Sequence, residues 1–306
     1  MKYKVSGRKW EQGVSTIKRY GNRYKLTQHR KAVRAGGIED AGGRAPPGGA
    51  KKREEGRCAA SISRTRATVY ELAACNPWAY FCTWTLSDDK GFDRYDLGPW
   101  YKDFSQWIRN QRRLTGAKLA YLVVPECHKD GAWHLHALMD GVPMDRLLKL
   151  TLEDYLPYRL LDILKRGEEL YSWPAYQEKY GWCTLSPVRD RDRCAGYIAK
   201  YVTKAFSAPE GGAAGDKKGP TAVASLRAGA KLYYASQGLQ RAVRVWKGTL
   251  PYRPDMEWDY ENDYVGIVWG EHPGEWLSAA QMVEVYGYDG LQKLHEPGDG
   301  KDTLQG

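Results

Sequence analysis

The order of patterns along this chain predicts an α+β fold: a central antiparallel sheet with flanking helices, preceded by a flexible basic N-terminal arm. Three observations carry the prediction. From residue 60 onward, aromatic and β-branched runs alternate with helical periodicity in the order β, α, β, β, (α), β, α. Two apolar runs, 119–124 and 133–138, flank Lys129, Asp130 and Gly131, a hairpin signal that makes the two neighbours antiparallel. The first 60 residues carry glycine and positive charge in place of a regular apolar pattern.

The charge is strongly segregated. The net charge is +10, with residues 1–67 at +13, residues 68–253 at +7 and residues 254–306 at −10. A basic arm and a basic middle fit a polyanionic partner. The acidic end reads as a solvated extension, although Trp258, Trp269 and Trp276 indicate that part of it folds. Within the arm, residues 35–49 are too rich in glycine to pack, and Lys51, Lys52 and Arg53 follow them. Positive charge on a mobile segment suits loose contact with phosphates, and it equally suits a plain disordered leader. Three divisions result: a basic arm over 1–60, a folded domain over 61–250 with a flexible insert at about 207–220, and an acidic extension over 251–306.

The elements follow in order. Ser63 to Ala74 reads as a helix with Val69, Leu72 and Ala73 as its apolar stripe, stopped by Asn76 and Pro77. Tyr80 to Leu86 is dense in aromatic and β-branched residues and reads as a strand. A helix over 98–114 puts Trp100, Phe104, Trp107 and Ile108 on one side and Arg109, Arg112 and Arg113 on the other. The hairpin follows. Residues 143–181 read as mostly helical, 181–186 as a strand, and the next helix runs from a cap at Asp190 or Asp192 to about residue 206. Residues 231–236 and 243–246 offer further sheet.

Composition excludes several classes. No apolar run approaches the roughly 20 residues of a membrane span, and the basic start lacks a following apolar segment, so a cytoplasmic protein is expected. The six cysteines are scattered without a C-x-x-C, which argues against a zinc site or a disulfide framework. There is no G-x-x-x-x-G-K-[ST], hence no phosphate-cradling ATPase loop.

Two constellations carry chemistry. His134-Leu135-His136 lies in an apolar run, and in a strand its two imidazoles share one face. If 129–131 form the loop, residue 126 lies opposite 134 and Glu126 joins that face. Two imidazoles and a carboxylate suit Mg²⁺ or Mn²⁺ and could also hold Fe(II) or Zn²⁺, with His128 as the competing third ligand. The second constellation is Tyr197-Ile-Ala-Lys-Tyr201-Val-Thr-Lys204. On a helix Tyr197 and Tyr201 lie one turn apart on one face, with Lys200 and Lys204 beside them. Ile198, Val202 and Ala205 supply an apolar face elsewhere on the same helix, so the tyrosine face is left to be polar. A phenol near neutral pH needs help to ionise, and a metal or a lysine gives it.

His-hydrophobic-His followed by Tyr-x-x-x-Tyr resembles the HUH endonucleases that initiate rolling-circle replication, the two-tyrosine type above all. The pattern Y-I-A-K-Y-V-T-K is similar to initiators of small single-stranded DNA phages and related plasmid or prophage replication proteins. The resemblance covers about residues 68–247, with Phe81 to Leu86 as the first motif, Glu126, His134 and His136 as the metal motif, and Tyr197, Tyr201 and the lysines as the nicking motif. Histidines preceding tyrosines favour a replication initiator over conjugative relaxases, which usually reverse the order. The resemblance implies a palm-like sheet and a nick in single-stranded origin DNA. It also implies a 5′-phosphotyrosine link and a free 3′-hydroxyl that primes synthesis, with rejoining at termination. A host helicase and polymerase would then be partners. Trp133, Trp182, Arg112 and Arg113 are candidates for contacting single-stranded DNA. Two other readings stay open: a DNA-binding replication regulator without catalysis, and a two-histidine, one-carboxylate metal enzyme unrelated to DNA.

Overall fold

The computed structural model describes residues 10–34, 50–128, 132–204, 231–250 and 256–295. Fourteen strands and six α-helices order them. The strands are β1 (Trp10–Glu11), β2 (Val14–Tyr20), β3 (Arg23–His29), β4 (Val33–Arg34), β5 (Tyr80–Thr85), β6 (Ala120–Cys127), β7 (Trp133–Asp140), β8 (Leu148–Lys149), β9 (Tyr171–Ser172), β10 (Cys183–Pro187), β11 (Tyr234–Ala235), β12 (Val243–Thr249), β13 (Tyr260–Glu261) and β14 (Val265–Gly270). The helices are α1 (Ala50–Cys75), α2 (Leu97–Thr115), α3 (Tyr158–Lys165), α4 (Pro174–Lys179), α5 (Arg191–Lys204) and α6 (Ala279–His295), the last broken at Gly287. The fold is α+β, with antiparallel sheets and flanking helices.

The chain divides into two compact units, 48–241 and the combined ends 1–47 and 242–306. The larger unit is built on a seven-stranded sheet in the order β11-β6-β7-β5-β10-β9-β8. Strand parity gives it two distinct faces. Tyr80, Cys82 and Trp84 of β5 and Leu135, Ala137 and Met139 of β7 bury against Trp100, Phe104, Trp107 and Ile108 of α2 and Tyr176 of α4. On the opposite face lie Leu122 and Val124 of β6 and Leu138 of β7, with α5 packed on β6 and β7 and α1 packed on α5. Asp96 caps α2 by accepting from the Gly98 amide, and Gly116 ends it in the left-handed conformation.

The smaller unit is a five-stranded sheet in the order β12-β2-β3-β14-β13. Its core holds Ile17, Tyr24, Leu26, Leu250, Val268, Trp276, Leu277 and Met282, drawn from both ends of the chain. Buried Gln28 on β3 donates to the Leu250 carbonyl at 3.0 Å, a further tie between those ends.

Three expectations need correction. The arm drawn over 1–60 contains ordered structure: residues 14–29 form a hairpin turned at Gly21 and Asn22, and α1 begins at Ala50. A net charge summed over the segment conceals the alternation in 23–29, where Tyr24, Leu26 and Gln28 are buried and the residues between them are not. The boundary at 250 also moves, because 243–249 pairs with β2 and the supposed extension 251–306 supplies β13, β14 and α6 to the same unit. Residues 143–181 are less helical than expected, holding two short α-helices, α3 and α4, and a single 3-10 turn at Met144–Arg146, interspersed with the short strands β8 and β9. Residues 35–49, the insert at 207–220 and the hairpin turn 129–131 lie outside the described residues.

Two outcomes are expected. Leu26→Ala should cost about 2–5 kcal/mol. In hydrogen exchange it should loosen the same amides as Val268→Ala, one in each end segment, because the two side chains share a core. Asp103 of α2 accepts hydrogen bonds from Tyr180 Oη at 2.6 Å and Lys179 Nζ at 2.7 Å. Burial works against its charge, but the two donors outweigh it and hold the carboxyl below the usual carboxylate range. Its contribution is therefore present above the ordinary carboxylate pKa and is lost as pH falls through the depressed value. Asp103→Asn should lower the melting temperature at neutral pH and flatten the acid limb of a stability–pH profile.

Candidate active site

The β6–β7 hairpin fixes the first half of the site. Glu126 pairs with His134, and His136 lies between Val124 of β6 and Thr83 of β5. His134 and His136 therefore share the face on which α5 packs. Glu126 reaches diagonally across the strands, and its Oε2 lies 2.6 Å from His136 Nε2. The His128 amide donates to the Ala132 carbonyl at 2.8 Å and closes the base of the hairpin. The His128 ring lies flat against His134, centroids 4.8 Å apart. Three imidazoles and one carboxylate thus gather at one end of two strands.

Helix α5 supplies the second half. Asp190 caps it by accepting from the Arg193 amide at 2.9 Å. Ala195, Ile198, Ala199 and Val202 are buried and seat the helix. Tyr201 is turned inward, only 5% exposed, and its ring stacks on His136 with centroids 3.6 Å apart and planes 20° from parallel. Tyr197, one turn earlier, is 43% exposed. Tyr201 Oη donates to Tyr197 Oη at 2.5 Å. Burial, then the bond to Tyr197, then the Tyr197 and Glu126 charges raise the Tyr201 phenol well above its ordinary pKa, and Arg159 opposes the rise.

Phe81 of β5 braces the group, with its ring 5.3 Å from Tyr197, 6.0 Å from His136 and 6.5 Å from Tyr201. Among the expected residues, Glu126, His136, Tyr197 and Tyr201 form one contiguous set, and His134 stands across from Glu126 on the same face. Lys200 is exposed on α5 next to Tyr201 in sequence, whereas the Lys204, Lys51, Lys52 and Arg53 side chains lie outside the described residues. Arg112 is elsewhere: its guanidinium donates to the Leu119 carbonyl at 2.6 and 3.0 Å, beside the start of β6. That is six residues, or about 20 Å of strand, from Glu126. Arg113 is exposed on α2, the helix packed on the opposite sheet face. Trp133 is buried and donates its indole N–H to the Tyr95 carbonyl, while Trp182 is 41% exposed. Phe81, marked in the sequence only as part of the first strand motif, braces the site in a way that no local pattern signals.

The donors suit a divalent cation in type: a carboxylate on β6, two imidazoles on the adjacent β7, and a buried His136 Nδ1 that has no hydrogen-bond partner among the described residues. In spacing, Glu126 and His136 are closed on each other as a direct hydrogen bond, and no set of three His, Cys, Asp or Glu among the described residues is already arranged around an ion.

Residues 79–206 match the family model described as Replication-associated protein, of the ORF2 group. The matched stretch runs from the start of β5 through α5 and contains every residue of the constellation just described. The match supports a replication initiator protein. Neither a curated protein nor a solved structure matches the chain. No described helix is long and apolar enough to cross a membrane.

The two tyrosines should differ in what they contribute to stability. Tyr201→Ala should cost about 3–5 kcal/mol, the scale of removing a buried aromatic ring. Tyr197→Ala, at a more exposed position, should cost less, about 1–2 kcal/mol by denaturant melts, because it leaves the buried Tyr201 hydroxyl without its acceptor.

Proposed function

We propose that this protein initiates rolling-circle replication as a two-tyrosine HUH endonuclease, nicking single-stranded origin DNA. The observation that carries the proposal is the stack of Tyr201 on His136, which joins the nicking helix to the histidine strand and brings Tyr197 with it. The family match supports the replication role.

Tyr197 is the nucleophile for the first cut, because its hydroxyl belongs to the exposed ring. Its oxygen attacks phosphorus, the P–O bond to the 3′-oxygen breaks, and the products are a 5′-phosphotyrosine and a 3′-hydroxyl that takes up a proton. One phosphodiester replaces another, so rejoining needs no ATP. Tyr201 assists by donating its hydroxyl hydrogen to Tyr197 Oη, which holds the attacking oxygen in place. Lys200, exposed on the same helix, is available to hold the phosphate. His134, His136 and Glu126 would hold Mg²⁺ or Mn²⁺, which when bound withdraws charge from the non-bridging oxygens. Tyr201 in turn serves a second transfer, once Tyr197 is occupied by DNA. Host helicase and polymerase would supply unwinding and synthesis.

A second reading, a DNA-binding regulator that does not cut, is favoured by one observation: Glu126 is closed on His136. A labelled single-stranded origin oligonucleotide with Mn²⁺, analysed on a denaturing gel, separates the two. Covalent adduct should form, Tyr197→Phe should reduce its initial rate by at least ~10³-fold, and Tyr201→Phe should reduce it far less. Absence of adduct across tiled origin candidates would establish the regulator instead.

A further inference from the structure

We infer that Trp182 is a base-stacking platform beside the candidate active site, holding a nucleobase of the single-stranded substrate within about three nucleotides of the scissile phosphate. That the occupant is a nucleobase rests on the proposed nicking reaction. The place of the ring rests on the register of the sheet.

The ladder that joins β5 to β10 does not stop at Cys183. Within it Trp84 stands opposite Cys183 and Thr83 opposite Thr184. The Thr85 amide donates to the Trp182 carbonyl at 2.9 Å, and the Ser87 amide donates to the Tyr180 carbonyl at 2.9 Å, so the register runs on through Trp182. Thr85 also stands opposite His134, which in turn stands opposite Glu126. Glu126, His134, Thr85 and Trp182 therefore make one row across four adjacent strands, and residues of a row share a face. The next row is Val124, His136, Thr83 and Thr184. Cys183, between Trp182 and Thr184, is buried in the core on the other face, as strand parity requires. Two strand spacings, roughly 10 Å, separate Trp182 from His134. At ~3.4 Å per stacked nucleotide that span is about three nucleotides, and fewer where the strand is extended.

The backbone beneath the ring is fixed. The Trp182 carbonyl accepts from Thr85 twice, from the amide and from Oγ1, each at 2.9 Å. Gly181 precedes it with φ at 133°, and a Cβ there would stand 2.9 Å from the Thr85 carbonyl oxygen, so the chain enters the strand at a close approach that glycine permits. The indole is 41% exposed, and among the described residues its N–H makes no hydrogen bond and its ring meets no other ring. Toward the histidines lie the half-buried hydroxyl residues Thr83 and Thr85, and neither β5 nor β10 contains an Asp or Glu. A strand running from the histidines across β5 thus meets neutral donors and then an aromatic plane. A single exposed apolar residue needs no explanation by itself. What singles out Trp182 is its alignment with the histidine row. A tryptophan on a rigid strand gives up little freedom when a base stacks on it, and its π-face takes any base.

The test uses the full chain without divalent ions and two labelled strands of equal charge, a thymidine oligonucleotide of about 12 residues and its abasic counterpart. Trp182→Ala should weaken thymidine binding on the order of tenfold. It should leave abasic binding and the salt slope unchanged, because losing the ring removes no phosphate contact. Trp182→Phe should recover most of the affinity by restoring a stacking plane. Unchanged thymidine binding in Trp182→Ala would overturn the inference. So would an equal loss on the abasic strand, a phenylalanine variant as weak as the alanine one, or failure of the unmodified chain to bind the thymidine strand. Placement is read from the adduct assay on an origin strand. A single abasic substitution within about three nucleotides of the nick should lower adduct yield in the unmodified chain and cost nothing further in Trp182→Ala. Adduct formation without any such position overturns the placement. No adduct at all, with thymidine binding still dependent on Trp182, sinks the nuclease reading and leaves the platform standing. Adduct formation with thymidine binding indifferent to Trp182 does the reverse.

Discussion

The register of one hairpin sets the chemistry of the larger unit. Glu126 stands opposite His134, and the pairing continues through Val124 and His136 to Ala120 and Asp140. Because side chains alternate along a strand, a slip of one residue would turn both imidazoles into the tryptophan-rich core and bring Leu135 and Ala137 out toward α5. The buried residues on the other parity, Leu135, Ala137 and Met139 at 0% exposure, hold the register in place. Polar chemistry on one face is thus secured by apolar packing on the other. Tyr201 can find His136 only because that packing leaves the imidazole where α5 lies across it.

Much of this was legible in the sequence for the same reason. Glycine at the presumed turn and alternation in 133–138 were enough to place Glu126 beside His134, and four-residue spacing was enough to put both tyrosines on one side of α5. The difference between the tyrosines was not legible. Spacing alone treats Tyr197 and Tyr201 as equivalent, and their exposures of 43% and 5% depend on how α5 rolls against β6 and β7. Phe81 was read only as part of a strand motif, because its place against Tyr197 and His136 comes from tertiary packing between distant elements, which no local period records. Arg112 shows the converse. Its helix face was read correctly, but its guanidinium serves the Leu119 carbonyl at the far end of the strand.

The ends of the chain teach a different lesson. Summed charge suggested a loose basic arm and a solvated acidic tail. The structure joins them: β3 pairs with β14 along most of its length, and Leu26 meets Val268 in one core. Opposite net charges in the two segments favour that pairing without specifying it. What specifies it is alternation, with Tyr24, Leu26 and Gln28 inward and Arg23, Lys25 and Thr27 outward. A window wide enough to reveal the charge was too wide to reveal the period.

The contact between the two phenols links the site's stability to its proposed chemistry. A hydroxyl pair sharing one hydrogen bond cannot readily carry two negative charges, so ionisation of one discourages ionisation of the other. Burial of Tyr201 and the neighbouring Glu126 charge both weigh against an anion on the inner ring. On the proposed mechanism the outer ring is the one that incoming DNA reaches, and it accepts the hydrogen bond from Tyr201. For Tyr201 to act in turn, the bond must be released, and esterification of Tyr197 by phosphate would release it. The inner tyrosine would then be held in reserve by the same contact that assists the outer one, so the order of two transfers follows from the roll of a single helix.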